Sequence, residues 1–222
     1  MNNNLLNIKT PAQDQAHALK ADYGLSNHGL GNLRQSYWNL PSEALYEEIV
    51  FRGEGRISLR GAMVVNSGKH NARAAQDKFI VREPDSEDHI WWGEYNRPIS
   101  AAQFTETLSR LQGFVQGRDL FVQDCYAGAQ PEYRMPVRII TEYAWHSLFA
   151  RNMFILPKNR EEYRQHIPDF TLICVPSFKG FPAIDSTRTS TFILLNFDKR
   201  MCIIGDTAYG GEIKKSIFTV MN

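Results

Sequence analysis

The chain has 222 residues, 43% hydrophobic and 22% charged, with 25 Lys and Arg against 24 Asp and Glu for a net charge of +1. That length suits one globular domain, which can bury roughly 70% of the surface its unfolded chain exposes, and 13 Phe, nine Tyr and four Trp supply bulky core groups. The balanced charge speaks against a general nucleic-acid binder and a polybasic membrane anchor, and no run of about 18 apolar residues is present to span a bilayer.

In chain order, residues 1–20 are polar and Asn/Gln-rich, and are expected to form a mobile arm or a short surface helix. They lack the basic and then apolar run of a secretory signal. Pro41-Ser42-Glu43 opens a helix-start pattern within Tyr37 to Val50, and Arg52 to Gly55 reads as a turn. Ile57 to Val65 is expected as a strand with a glycine interruption, and Lys78 to Val81 as a short strand. In residues 99–116, Phe104, Leu108, Leu111 and Val115 share one helical face, with Ser100 as the N-cap. Asp119 to Cys125 and Val137 to Ile140 read as strands, and Trp145, Leu148 and Phe149 then recur at helical spacing. Asp169 to Val175, Thr191 to Phe197 and Arg200 to Ile204 are three late strands. Tyr209-Gly210-Gly211 breaks the last, and Glu212 to Met221 reads as a helix. The irregular alternation predicts an α/β (α+β-like) domain, a mixed β-sheet flanked by helices, over residues 1–222.

Several chemical constellations can be weighed on residue type alone. Val65 to His70 (VNSGKH) imitates a phosphate loop, but Met63 stands where the first glycine is needed and His70 where a hydroxyl must follow the lysine. Histidines 17, 28, 70, 89, 146 and 166 never pair at i, i+4, and no C-x-x-C occurs, so a closed zinc site has no ligand set. Cys125, Cys174 and Cys202 are widely spaced with apolar neighbours, which predicts buried free thiols in a reducing, cytoplasmic setting. Cys125 with His146 is the one conceivable nucleophile pair, and a buried structural thiol is the preferred reading. Arg73, followed by Asp77 and Lys78, lies in a loop between strands where a cation can face a cleft. Gly205 to Lys215 reads as strand, double-glycine turn and helix start. Gly210 and Gly211 would let backbone approach a ligand, and the helix N-terminus with Lys214 and Lys215 favours an anion. The alternative is that both lysines are solvated helix residues and Glu212 complements the helix dipole.

Four segments in order resemble the ATP-dependent phosphoenolpyruvate carboxykinases: WNLPSEALYEEIV (38–50), NARAAQDKFIV (71–81), DCYAGAQPEYRMPVRIITEYAWHSLFARNMFILP (124–157) and RMCIIGDTAYGGEIKKSIFTVMN (200–222). The resemblance implies the family's N-terminal domain and a lyase reaction, in which oxaloacetate and ATP give phosphoenolpyruvate, ADP and carbon dioxide in gluconeogenesis. By position it implies that Arg73 binds the substrate carboxylate and carbon dioxide, and that Tyr209 orients that carboxylate. Lys215 would coordinate manganese, Lys214 would lie near the transferred phosphate, and Gly210 and Gly211 would put backbone near substrate. The chemistry is coherent, because cations fixed beside a developing enolate lower the barrier. A lysine that ligates a metal must be neutral, which neighbouring positive charge favours.

The chain departs from the family's Gly-Arg-Ser-Pro-Lys-Asp-Lys pattern, with Ala72-Arg73-Ala74-Ala75-Gln76-Asp77-Lys78 in its place, and Ala208 precedes the tyrosine. Loss of the glycine and proline is expected to leave Arg73 less well held. The sequence stops ahead of the family's C-terminal nucleotide-binding domain, which supplies the phosphate loop and most sites for ATP, Mn²⁺ and Mg²⁺. The expectation is an oxaloacetate- or phosphoenolpyruvate-binding domain that is inactive alone and binds those cofactors weakly. Its partners would be a separate nucleotide-binding half or a second copy through an exposed interface. The alternative is a non-catalytic, stand-alone binding or interaction module derived from the family.

Overall fold

The computed structural model describes residues 18–221, so most of the expected N-terminal arm, His17 included, lies outside the described residues. An eight-stranded mixed sheet organises the rest. Its strands are β1 (Gln35–Trp38), β4 (Lys78–Val81), β5 (Arg97–Ile99), β6 (Asp119–Ala127), β7 (Met135–Thr141), β8 (Phe170–Val175), β9 (Phe192–Asn196) and β10 (Met201–Gly205). They lie in the order β1-β6-β7-β8-β10-β9-β4-β5. The β6–β7 and β10–β9 pairs are antiparallel and the other neighbours are parallel. The expected mixed α/β sheet is therefore the one observed.

Helices cover both faces of the sheet, which explains why the central strands read as unbroken apolar runs rather than as alternating patterns. All six residues of β8 (FTLICV) are buried, as are all five of β9 and of β10. Odd and even positions go to opposite cores. Ile173, Val175, Phe192, Leu194 and Ile203 join Phe104, Leu108 and Leu111 of α2 (Ala101–Phe114). Leu172, Cys174, Ile193, Leu195, Cys202 and Ile204 join Ile213 and Ile217 of α6 (Gly211–Val220). A third cluster packs α1 (Ser42–Phe51) against α3 (Ala144–Met153) over Tyr37 and Phe121. Two short helices, α4 (Arg160–Arg164) and α5 (Pro182–Asp185), complete the set. Ser100 caps α2 as expected. Its hydroxyl accepts from the Gln103 N–H and the Gln103 side chain reaches back to the Ser100 N–H, a reciprocal capping box.

Three readings of the sequence need amendment. Ile57 to Val65 is an antiparallel hairpin of β2 (Gly55–Ile57) and β3 (Met63–Val65), because Gly61 at φ +82° turns the chain between them. The Tyr37-Trp38 pair ends strand β1 ahead of α1. Residues 97–99 form a strand despite Pro98, a position that β5 tolerates because it is the sheet's edge. All three cysteines are buried and free, and burial pushes their thiols up, Cys202 to about 12. That removes the thiolate a nucleophile needs. The group next to His146 Nδ1 is the Cys174 sulfur at 4.0 Å.

Among the described residues, an arginine–carboxylate ion pair lies wholly inside the fold. Asp124 on β6 and Arg138 on β7 are register partners with fully buried side chains, joined at 2.6 Å. Arg138 also donates to the Tyr23 carbonyl at 2.5 Å, and the Asn39 amide donates to the Leu19 carbonyl at 2.9 Å and to Asp124 at 3.3 Å. This cluster ties the segment from Leu19 to Tyr23 onto the sheet. Removing one member of such a pair strands the other charge away from water. Arg138→Ala is expected to lower unfolding free energy by about 3–5 kcal/mol, measured by urea denaturation. A loss near that of a surface substitution would contradict this account.

Candidate functional site

Because β9 runs antiparallel to β10 and parallel to β4, three chain segments meet at one end of these strands. Phe192, which starts β9, pairs with Gly205, which ends β10, and Lys78, which starts β4, aligns with Ile193. Residues 66–77, residues 186–191 and residues 206–210 therefore converge there. The strand ends are where a sheet covered on both faces can still present polar groups.

The Arg73 loop is held by side chains. Lys69 forms an ion pair with Asp206, and the His70 ring nitrogen Nε2 lies 2.9 Å from the Thr191 hydroxyl. The Ala74 N–H donates to the Glu212 carboxylate at 2.6 Å. Asp77 accepts from Arg188 at 3.0 Å and from the Thr189 hydroxyl at 3.1 Å. Loss of glycine and proline was expected to leave this loop under-restrained, and these four anchors restrain it by other means. They also account for the phosphate-loop look-alike: the Asn66 side chain accepts from the Gly68 N–H in a local turn, and the Lys69 ammonium is engaged by Asp206.

A cavity of about 390 Å³ opens beside the loop, lined by Arg73, Lys78, Tyr95, Glu212, Lys215 and Thr219 among others. The loop and α6 thus bring Arg73 and Lys215 to the same space, and Lys78 joins them from the start of β4. Burial, then the charges of Lys215 and Arg73, hold the Lys78 ammonium below the usual lysine range. Burial pushes the Glu212 carboxyl up, although the Ala74 N–H and the charges of Arg73 and Lys78 oppose it. Three cations around one carboxylate that already serves a backbone N–H leave net positive character facing the cavity. Such a space favours a carboxylate or a phosphate.

The remaining expected residues lie around this cavity rather than in its lining. Lys214 is one position from Lys215, about 100° around the helix, and its ammonium sits 5.6 Å from the Phe218 ring centroid. Tyr209 is half-buried, with its ring so close against Gly211 that a Cβ there would collide with it. Gly210 faces Trp145 and Phe149, with a Cβ only 3.2 Å from the indole. The double glycine thus lets aromatic rings approach the backbone closely. Beneath the turn, fully buried His146 bonds through Nε2 to the Ala208 carbonyl at 2.8 Å, and burial lowers its pKa to about 4.

A divalent ion finds an incomplete donor set here. Lys215 offers one amine, Glu212 is committed to Ala74, and Arg73 and Lys78 repel a cation. Among the described residues no group of three His, Cys, Asp or Glu could hold a metal. These residues do not fit a metal on their own.

The family described as phosphoenolpyruvate carboxykinase matches residues 34–222. The chain belongs to that family. It is 52% identical over 199 residues to the phosphoenolpyruvate carboxykinase (ATP) of Geotalea uraniireducens (strain Rf4), covering 90% of this chain and 37% of that protein. It is 53% identical over 199 residues to the phosphoenolpyruvate carboxykinase (ATP) of Geobacter sp. (strain M21), with the same coverage. The corresponding Thermus thermophilus protein is 45% identical over 197 residues, 87% of this chain and 37% of that one. The chain thus spans little more than a third of the length of the curated relatives it matches.

Sequence reasoning placed Lys78 beside a cleft without assigning it to the site, and it missed the role of Glu212. Neither Glu212 nor its partner Ala74 carries a local signal, because 138 positions separate them. Two outcomes are expected. Glu212→Ala, which frees the Ala74 N–H, should lower stability by about 1 kcal/mol, the low end for a donor that water can reach, while Glu212→Gln retains most of it in thermal melts. The His146 imidazole should titrate near 4 by NMR. Its depressed pKa contributes stability that is present above 6.5, its ordinary value, and is lost as pH falls from there through about 4.

Proposed function

We propose that this chain is the oxaloacetate- and phosphoenolpyruvate-binding part of an ATP-dependent phosphoenolpyruvate carboxykinase, a cytoplasmic gluconeogenic lyase. The described residues would form one domain, with the nucleotide and most metal ligands held elsewhere. The observation that carries this reading is the convergence of Arg73 and Lys215, from two distant segments, on one cationic cavity.

Arg73 binds the substrate carboxylate that phosphoenolpyruvate retains, and the carbon dioxide released beside it, since a guanidinium pairs with a carboxylate through two parallel hydrogen bonds. Tyr209 orients that carboxylate from the adjoining turn, and the backbone at Gly210 and Gly211 closes the same side. Lys214 lies toward the transferred phosphate. Cations of the cavity such as Arg73 and Lys78 would stand beside the developing enolate oxygen, where fixed positive charge lowers the barrier to decarboxylation. Lys215 would be a neutral amine ligand for manganese, whose other ligands would come from outside the described residues. ATP with its Mg²⁺ would be bound by a second, nucleotide-binding unit, because phosphoryl transfer depends on positioned phosphates and metal. Such a unit, or a second copy of this chain, is the expected protein partner.

Calorimetry with phosphoenolpyruvate tests the reading. Weak binding is expected, with Arg73→Ala reducing affinity by more than about tenfold, the scale of a charge-assisted bond. Undiminished binding by that variant would remove Arg73 from the site. No binding by the unaltered chain would favour a non-catalytic module descended from the family. Oxaloacetate, ATP and Mn²⁺ added to the purified chain should give no phosphoenolpyruvate, and efficient formation would overturn its incompleteness.

A further inference from the structure

Asp206 holds an unusual position. Its backbone is left-handed at φ +55°, a conformation uncommon outside glycine, and its side chain is only 8% exposed. One carboxylate joins three loops. It accepts from the Lys69 ammonium and the Ser190 hydroxyl, with the Thr191 hydroxyl 3.4 Å away, and the Asp206 carbonyl accepts from Thr191 at 3.2 Å. Burial works to raise the Asp206 pKa, but the bonds from Lys69 and Ser190 and the charges of Lys69 and Lys179 outweigh it and hold the group ionised.

The spacing of these contacts gives them meaning. Lys69 lies four residues before Arg73, and Asp206 three residues before Tyr209. On the far side, Ala74 follows Arg73 directly and is bound by Glu212, three residues before Lys215. Arg73 therefore sits between two clips, and both attach its loop to the strand-to-helix connection that carries the other expected site residues. A loop pinned at one end can swing, whereas one pinned at both cannot. We propose that the Lys69–Asp206 ion pair is a latch that keeps the Arg73 loop in register with the Tyr209 turn, which makes both members positioning residues for the anion site. The inference rests on the site reading given above. Lys69 is half-exposed and Asp206 keeps the Ser190 hydroxyl as a donor, so variants that break the pair should fold.

The experiment uses the full chain with four single variants: Lys69→Met, Lys69→Arg, Asp206→Asn and Asp206→Gly. Two readouts are taken together: hydrogen exchange of the backbone amides in 70–77 and 206–211, and calorimetric affinity for phosphoenolpyruvate. Lys69→Met is expected to speed exchange in both segments and to weaken affinity by about fivefold, the upper range for a half-exposed pair. Lys69→Arg should restore both. Asp206→Gly relieves the left-handed backbone yet loses the carboxylate. The same weakening in that variant and in Asp206→Asn assigns the effect to the latch rather than to backbone strain. The double variant Lys69→Met with Asp206→Gly should be no worse than either single change.

Unchanged exchange in Lys69→Met overturns the latch, and so does faster exchange with undiminished affinity. Failure of the site reading looks different, because there the unaltered chain binds no phosphoenolpyruvate. Faster exchange at 206–211 upon a change at residue 69 then still supports the mechanical coupling, and its absence refutes it.

Discussion

The dominant constraint on this molecule is that its mixed sheet is covered on both faces. Strands β8, β9 and β10 have no solvent-facing side, so polar chemistry is confined to their ends. Which ends meet is set by strand direction. The antiparallel β9 brings the start of β9 to the finish of β10, and parallel pairing with β4 adds the start of that strand. Reversing β4 would send the Arg73 loop and the Tyr209 turn to opposite ends of the strands, and reversing β9 would carry away residues 186–191.

At those strand ends charge is used in two ways. Asp206, Asp77 and Glu212 are buried carboxylates whose partners hold the Arg73 loop in place, through side chains in two cases and a backbone N–H in the third. Arg73, Lys78 and Lys215 face the cavity itself. Acidic groups thus do the anchoring and basic groups are left for a ligand. The near-neutral net charge of the chain conceals this separation, because a sum over residues carries no positional information. The Asp124–Arg138 pair follows the anchoring pattern deeper in the fold, where it ties the segment near Leu19 and Tyr23 to the sheet.

Much of the fold was legible in the sequence. The apolar stripe of α2 and its Ser100 cap, the long apolar runs of the late strands, and the double-glycine break before α6 all lie where local pattern puts them. These features depend on near neighbours in the chain. The β2–β3 hairpin and the edge strand β5 were not legible, since both are short and one contains Pro98. Such segments become strands only when a partner supplies the hydrogen bonds. The glycine pair was read as letting backbone approach a ligand, and the structure adds that aromatic rings from Trp145 and Tyr209 also lie against it. Sequence marks that space is needed without saying what fills it.

By itself the sequence determined the mixed α/β class, the buried character of the three cysteines and the ordered blocks that mark the phosphoenolpyruvate carboxykinase family. The first two rest on composition and periodicity and the third on the resemblance of ordered segments, all of which survive in one dimension. Only the tertiary structure decided which cations share a cavity and what holds Arg73. It gathered Arg73, Lys78 and Lys215 into one space and turned Lys214 toward Phe218. It also set Lys69 against Asp206 across 137 positions. Contacts at that range are fixed by strand direction and by the packing of two cores, and no local property of the chain encodes them.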